Sequence, residues 1–396
     1  MELRTTQEER LFREKARTWL EENVPKEPRP PHGREANDHD RAWQRRQFDG
    51  GWAGLSWPKE YGGRGLPLDL QLIWFEEYAR AEAPEATNTL YVGLNHAAPT
   101  LIASGTPEQQ AFHLEKILSA ENVWCQGFSE PGAGSDLAAL RTRAEIDGDD
   151  LVVNGSKIWT SNGHYSHYQE LLVRTDPDAP KHKGITWVIG QMDLPGVDIR
   201  PIRNMAGGDH FCEVFYNDVR IPLSSVVGKV NDGWRVAMST LGFERGTASM
   251  AHQIELTQFV ENLIDYARDN PGPDGRRMAI EDDTIRSRLA AARAETSALK
   301  AITLLSISRA RRGDAPGPEG SITRLFHTEL MQRVHRLAYD LTGSGGLEME
   351  GHRGWSRQYL EQMRQTIAGG TSEIQRNIIG ERHLGLPRQP VIAKGA

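Results

Sequence analysis

A chain of 396 residues, 38% hydrophobic and 26% charged, is long enough for two or three packed units and has the composition of a soluble globular protein. A net charge of −7 and a pI near 6.0 exclude nucleic acid as a general partner, and two cysteines, Cys125 and Cys212, both in apolar strand-like runs, exclude a disulfide scaffold and point to a reducing compartment. No run of 18 apolar residues is present to span a membrane, and MELRTTQEER lacks both the apolar core of a signal peptide and the acid-poor character of a transit peptide, so a cytoplasmic location is expected.

Thr6 followed by Glu9 is a capping-box pattern, and Leu11, Phe12, Ala16, Trp19 and Leu20 recur at helical spacing behind it. The predicted helix ends at Pro25, and PKEPRPPHGREANDHD reads as a surface connector. Helical patterns resume around Trp43, over Leu68 to Ala83, in TLYVGLNHAAPTLIASG, and in PEQQAFHLEKILSA, where Thr106 caps and Pro107 takes the first helical position. Residues 1–122 are therefore expected to form a helical domain.

From Val123 the period changes. Alternating runs rich in Val, Ile, Thr and aromatics, separated by turn clusters about ten residues apart, include RTRAEID, LVVNG, KIWTS, ELLVRT, ITWVIGQ, VDIRPI and HFCEVFYNDVRIP. An antiparallel barrel or sandwich is expected over residues 123–229. His164 and His167 in GHYSHY lie close together, but surface or hydrogen-bonding roles are the expectation for two loop histidines, and no metal site is assigned. After Asn231-Asp232-Gly233 the helix period returns to about Arg268; further helices are predicted for Asp282 to Arg312, Ser321 to Thr342, a short piece around Trp355 to Ile367, and a last helix from Ser372. Residues 230–396 read as an up-and-down four-helix bundle. The fold class is thus α+β: helical domain, β domain, helical bundle.

Three segments stand out chemically. QGFSEPGAGSD (Gln126 to Asp136) follows a short apolar strand, and its Pro131, Gly132 and Gly134 let a backbone approach a ligand and offer N–H groups and the Ser129 and Ser135 hydroxyls to it; an ordinary turn is the alternative reading. KIWTSNG sets Trp159 beside Thr160 and Ser161, where a core aromatic is the alternative. IAGGTSEIQRNIIGERHLGLP sets a Gly-Gly turn against a helix start. In TLGFERGTASMAHQ, Glu244 shares a helical face with Ala237, Leu241 and Ala248, and no basic residue sits at positions 240, 241, 247 or 248. A carboxylate on an apolar stripe has the raised pKa a general base needs; a salt bridge from another helix is the alternative.

SEPGAGSD, WTSN and GGTSEIQR together, in this order and separation, resemble the acyl-CoA dehydrogenase family of flavoenzymes over essentially the whole chain; GLSWPKEYGG resembles a further loop of it. The resemblance implies FAD, an acyl-CoA substrate, electron transfer flavoprotein as acceptor, a place in β-oxidation and lipid metabolism, and a homotetramer, with a dimer or a mixed tetramer as alternatives. By position it assigns Gln126, Phe128, Ser129, Gly134 and Ser135 to the flavin and pyrophosphate, Trp159 and Ser161 to the isoalloxazine ring, and Thr160, Thr371, Glu373, Gly345 and Gly346 to the cofactor more generally. Ser135, Arg245 and Gly370 are placed at the substrate. The usual base of the family precedes the Gly-Thr of the last helix; here that position is Gly369, which cannot take a proton but keeps a backbone N–H for the thioester oxygen. A minority of the family carries the base on the helix after the β domain directly before an arginine, and Glu244-Arg245 matches that pattern.

One departure is expected to matter. The family's Arg-x-x-Phe-Gly segment, which contacts the adenosine half of a neighbour's FAD, has no counterpart in ARDNPGPDGRRMAIEDD, although Arg268, Arg276 or Arg277 could substitute. Alternatives to a dehydrogenase are a non-catalytic partner subunit and an oxidase or monooxygenase on the same scaffold.

Overall fold

Local caps start the first helices where the sequence places them. Glu9 N–H donates to the Thr6 hydroxyl at 3.1 Å and the Glu9 carboxylate accepts the Thr6 N–H at 2.8 Å, opening α1 (Gln7–Asn23). Residues 6–85, 89–244, 248–312, 317, 319–349 and 354–388 are described in this computed structural model. The chain divides into two compact units, Arg4–Ala251 and His252–Ala396, the latter grouped with Met1–Leu3.

In the first unit α1 is followed by α2 (Gly33–Asp49), α3 (Leu68–Arg80), a π-helical turn (Gly93–Ala97), α4 (Ala98–Ser104) and α5 (Pro107–Leu118). The connector expected through GREANDHD is instead the first half of α2. Its polarity misled because charge is turned inward: Asp40 is fully buried, binds Arg29 at 2.6 Å, and accepts the Thr89 N–H and hydroxyl at 3.1 and 3.0 Å. A buried carboxylate that is fully hydrogen-bonded is tolerated where an orphaned one is not.

The β region is one seven-stranded sheet of β1 (Trp124–Gly127), β2 (Arg143–Asp147), β3 (Asp150–Ser161), β4 (Tyr168–Arg174), β5 (Ile185–Gln191), β6 (Val197–Ile202) and β7 (Phe211–Pro222). Its order is β1-β4-β2-β3-β7-β6 with β5 on β4. Most pairs are antiparallel, as expected; β1 and β2 each run parallel to β4. The two-residue period of strands sends alternate side chains to different cores. Leu172, Ile185, Trp187 and Ile189 join Leu101 and Ile117 of the helices, while Leu171, Val173 and Val188 join Val153, Val214 and Val219. Both cysteines are buried and free. His167 accepts the Val123 N–H at 3.0 Å and His164 lies 3.0 Å from the Cys212 sulfur, so both histidines serve the sheet.

The sheet hands over to α6 (Gly233–Glu244). A Cβ at Gly233 would collide with the Trp187 nitrogen and the Thr186 carbonyl carbon, both backbone atoms that cannot swing away. Gly233→Ala is therefore expected to cost about 2 kcal/mol or more, read as a lowered urea midpoint; an unchanged midpoint would mean that α6 can shift freely off β5. Helices α6 and α7 (Ala248–Asp269) occupy the stretch where helix is expected from Gly233 to about Arg268, and residues 245–247 between them lie outside the described residues.

The second unit holds the rest of α7, α8 (Asp283–Arg311), α9 (Glu319–Leu341), α10 (Trp355–Glu361) and α11 (Ser372–Ile378). Leu256, Val260 and Leu263 of α7, Leu289 of α8, Leu330, Val334 and Leu337 of α9, and Trp355 form one core. Among the described residues no helix is long and apolar enough to cross a membrane.

Candidate functional site

The loop after β1 and the end of β3 form one surface in the first unit. Glu130 and Ala133 exchange N–H···O bonds at 3.0 Å each way, making the tight turn foreseen at Pro131-Gly132. A Cβ at Gly132 or Gly134 would meet nothing within 4 Å, so neither glycine is there for packing; both leave open room in front of the loop. Ser135 is exposed and Ser129 half-buried, and neither hydroxyl is engaged by a described residue. Phe128 is buried and anchors the loop in the core shared with Trp124 and Leu140.

Opposite this loop, β3 carries an irregularity between Lys157 and Thr160. Trp159 adopts φ 62°, a left-handed conformation rare for a large side chain. Its ring is 57% exposed and is braced edge-on by Phe211 at 5.9 Å. Strain accepted in order to leave an indole bare points to a flat partner for its face. Thr160 is turned inward, fully buried, with no described partner for its hydroxyl. Ser161 is half-buried, and its hydroxyl is engaged by no described residue. The bare indole, the two unblocked glycines and the unused Ser129, Ser135 and Ser161 hydroxyls fit a flat, polar-edged ring system with an anionic tail.

Gln126 sits at the foot of the loop, where its side-chain amide donates to Glu170 at 2.6 Å beside His96, which lies 3.3 Å from both. Its side chain is thus committed to a polar cluster under the loop. Sequence reading missed that cluster, and it also missed Glu130 and Lys157, which are joined at 2.8 Å beneath the loop. The signal for Lys157 was present: the strand period places it on the same face as the buried Leu151 and Val153.

Glu244 lies on α6 one turn beyond Thr240, which is fully buried and meets Thr100 at 2.9 Å. The side chain of Glu244 and all of Arg245 lie outside the described residues. Helix α6 packs on β5 within the same unit as the loop and Trp159.

The second unit carries the remaining candidates. Gly369 and Gly370 have φ 63° and 96°, so a non-glycine residue at 369 would be strained, and Thr371 caps α11 by accepting the Ile374 N–H at 3.2 Å. Gln375 is buried and donates to both glycine carbonyls at 3.3 Å, and Arg324 donates to the Ala368 carbonyl. Thr371 and Glu373 border a groove of about 860 Å³ with Arg288, Arg333, Tyr359 and Arg376. Its arginines are paired, Arg288 with Asp340 at 2.9 Å, Arg333 with Glu295 at 2.8 Å and Arg376 with Glu329 at 2.6 Å. Gly345 and Gly346 follow the far end of α9; Gly346 packs on Tyr339 and its carbonyl accepts the Ser356 hydroxyl at 3.0 Å. The Gly-Gly-Thr turn reaches α9 near Arg324 and Glu329, and the stretch of α9 from there to the Gly345 turn is on the order of 20 Å long. The two glycine turns are therefore kept apart rather than brought together.

In the segment between α7 and α8, the Gly272 N–H donates to the Arg277 carbonyl at 2.8 Å and Pro271 bridges Met278, closing a small hairpin. Arg268 pairs with Asp265 at 3.0 Å and Arg277 with Asp282 at 2.6 Å, while Arg276 is exposed.

Models of known families match along the chain: an acyl-CoA dehydrogenase N-terminal domain over residues 6–121, a middle domain over 125–219 and a C-terminal domain over 231–384. The chain is 41% identical over 393 residues to the acyl-CoA dehydrogenase IpdE1 of Mycobacterium tuberculosis, covering 97% of this chain and 98% of that one. It is 37% identical to the acyl-CoA dehydrogenase FadE26 of the same organism, covering 85% and 86%. Among solved structures it is similar to the Tcur3481-Tcur3483 steroid ACAD, with TM-score 0.85, 32% identity and 98% and 100% coverage. It is also similar to the ChsE4-ChsE5 complex from Mycobacterium tuberculosis, with TM-score 0.81, 34% identity and 98% and 100% coverage.

Proposed function

This chain belongs to the acyl-CoA dehydrogenase family, and from that premise we propose that it carries out FAD-dependent α,β-dehydrogenation of a bulky, steroid-type acyl-CoA thioester. The observation that carries the flavin reading is the bare Trp159 indole, held at φ 62° beside a loop whose glycines leave its front open. The steroid class is supported by the description of a structural relative as a steroid ACAD and by Gly369, where the absence of a side chain leaves room for a wide acyl group. Bound FAD would supply a two-electron acceptor for the β-hydride. Trp159 and Ser161 would flank the ring and the Ser129 to Ser135 loop would hold the pyrophosphate. Glu244 would take the α-proton, and the Gly369 N–H would donate to the thioester oxygen, where negative charge gathers as that proton leaves. Electrons would pass on to an electron transfer flavoprotein.

The test is direct. Purified protein is expected to be yellow and to bleach anaerobically when given a steroid side-chain CoA thioester; a protein that stays colourless after reconstitution with FAD would overturn the flavin reading. Trp159→Ala is expected to weaken FAD retention roughly tenfold or more, the loss of one ring-stacking surface.

A second reading concerns assembly. Two structural relatives are described by paired names, Tcur3481-Tcur3483 and ChsE4-ChsE5, and the hairpin after α7 lacks the Phe-Gly of the family's adenosine contact. A mixed assembly with a related subunit accounts for both; half an FAD per chain would support it and one per chain would favour a homotetramer.

A further inference from the structure

Nothing in the proposed proton and hydride transfers uses Lys157, yet it is the largest charged side chain withdrawn completely from solvent beneath the loop and the indole. Its ammonium donates to Glu130 at 2.8 Å and to the Phe128 carbonyl at 3.2 Å. Glu130 in turn accepts the Arg141 N–H at 2.6 Å and the Thr142 N–H at 2.8 Å. On the strand side, the residue after Lys157 donates its N–H to the Ser129 carbonyl at 2.9 Å, and the next residue is the strained Trp159. One ion pair thus fastens the loop, the entry to β2 and the irregular stretch of β3 to one another.

A buried pair kept only for stability is a poor solution, since apolar residues of the same volume often serve as well. Burial, helped by the Arg174 charge, outweighs the pull of Glu130 and draws Lys157 down to about 8. On Glu130, burial acts upward, but the Lys157 charge and the hydrogen bonds from Lys157 and Thr142 outweigh it and hold the carboxyl below its ordinary range. What this pair delivers that a hydrophobic pair cannot is direction: it fixes the carbonyl of Phe128 and the turn at Glu130 relative to the strand that presents Trp159.

We propose that Glu130 and Lys157 are positioning residues that set the Phe128 to Ser135 loop at a fixed separation from Trp159, so that one flat-ringed cofactor engages both; this rests on the flavin reading above. The experiment compares full-length wild-type protein with the double variant Glu130→Gln/Lys157→Met, which removes both charges together and so avoids orphaning either. The double variant is expected to melt close to wild type, to bind FAD roughly ten- to a hundredfold more weakly, and to lose the near-ultraviolet circular dichroism band of Trp159, identified by difference from Trp159→Phe. Wild-type FAD affinity with an unchanged Trp159 band would overturn the proposal. Should the double variant fail to fold, Glu130→Asp, which keeps the charge but shortens the reach, is expected to show the same weakened FAD binding, and wild-type affinity in it would overturn the proposal equally. If the wild-type protein takes up no FAD, the flavin reading fails by itself; the Trp159 band in the flavin-free variants then still decides whether the pair orients the indole.

Discussion

Glu244→Gln is expected to leave bound flavin in place and to slow its anaerobic bleaching by an acyl-CoA roughly a thousandfold, the scale of a well-placed general base. Glutamine keeps the size and hydrogen-bonding shape of the side chain but accepts no proton, so the variant separates proton abstraction from binding. The position has a stated logic. Gly369, at the position where the resemblance places the usual base, has φ 63° and no side chain, so on the proposed reading the acid is another residue, Glu244. Glu244 lies on α6 one turn beyond Thr240, whose buried contact with Thr100 at 2.9 Å pins that part of the helix. A helix turn held in this way fixes the Cα from which the carboxylate extends. Stopped-flow absorbance of the flavin band checks the prediction; bleaching within tenfold of wild type would place the base on another residue.

What could be read from the sequence depended on how far apart the interacting residues lie. The caps at Thr6 and Thr106 are local, three residues from their partners Glu9 and Gln109, and both form as expected. The strand run from Val123 and the loop through Gly134 declare themselves by period and by turn residues, and the sheet and turn are found there. Long-range electrostatics left no such trace. Asp40 looked like part of a polar linker because its partner Thr89 is 49 residues away, and the weight of Lys157 becomes visible only when Glu130, 27 residues earlier, is brought against it.

Lowering the pH from 7.5 to 5 is expected to destabilise the C-terminal helical unit by several kcal/mol, through histidines that its core holds neutral. His327 and His335, both on α9, are buried; burial pulls each down to about 4, in spite of hydrogen bonds from His327 to the His252 carbonyl and from His335 to the Met331 carbonyl. His335 also stacks on Phe259 at 4.5 Å, so no water reaches that face to solvate a charge. In the unfolded chain both titrate near the ordinary value of about 6.5. Between about 6.5 and 4 the unfolded state therefore binds protons that the folded state refuses, and stability falls as pH falls; above about 6.5 neither state is protonated and the effect vanishes. At roughly 1.4 kcal/mol per pH unit, each histidine can withdraw about 3 kcal/mol by the bottom of this window, a large share of the 5–15 kcal/mol typical of a folded domain. The carboxylates act lower down. Burial pushes Glu77 up, but its bonds to Arg17, Arg80 and Arg13 bring it to about 2, so its stabilisation is lost only below about 4.5. The buried His113 in the other unit, also lowered to about 4, makes variants necessary. His252, stacked on His327 at 5.9 Å in the same unit, is lowered to about 3 by burial and by the charges of His327, Arg324 and Arg364, so the triple variant His252→Gln/His327→Gln/His335→Gln is expected to flatten the shift in urea midpoint between pH 7.5 and 5 when unfolding is followed in the Trp355 core, while leaving the response of the first unit unchanged. A midpoint in the wild-type protein that does not move over this range would show that these imidazoles gain protons without unfolding the helices around them.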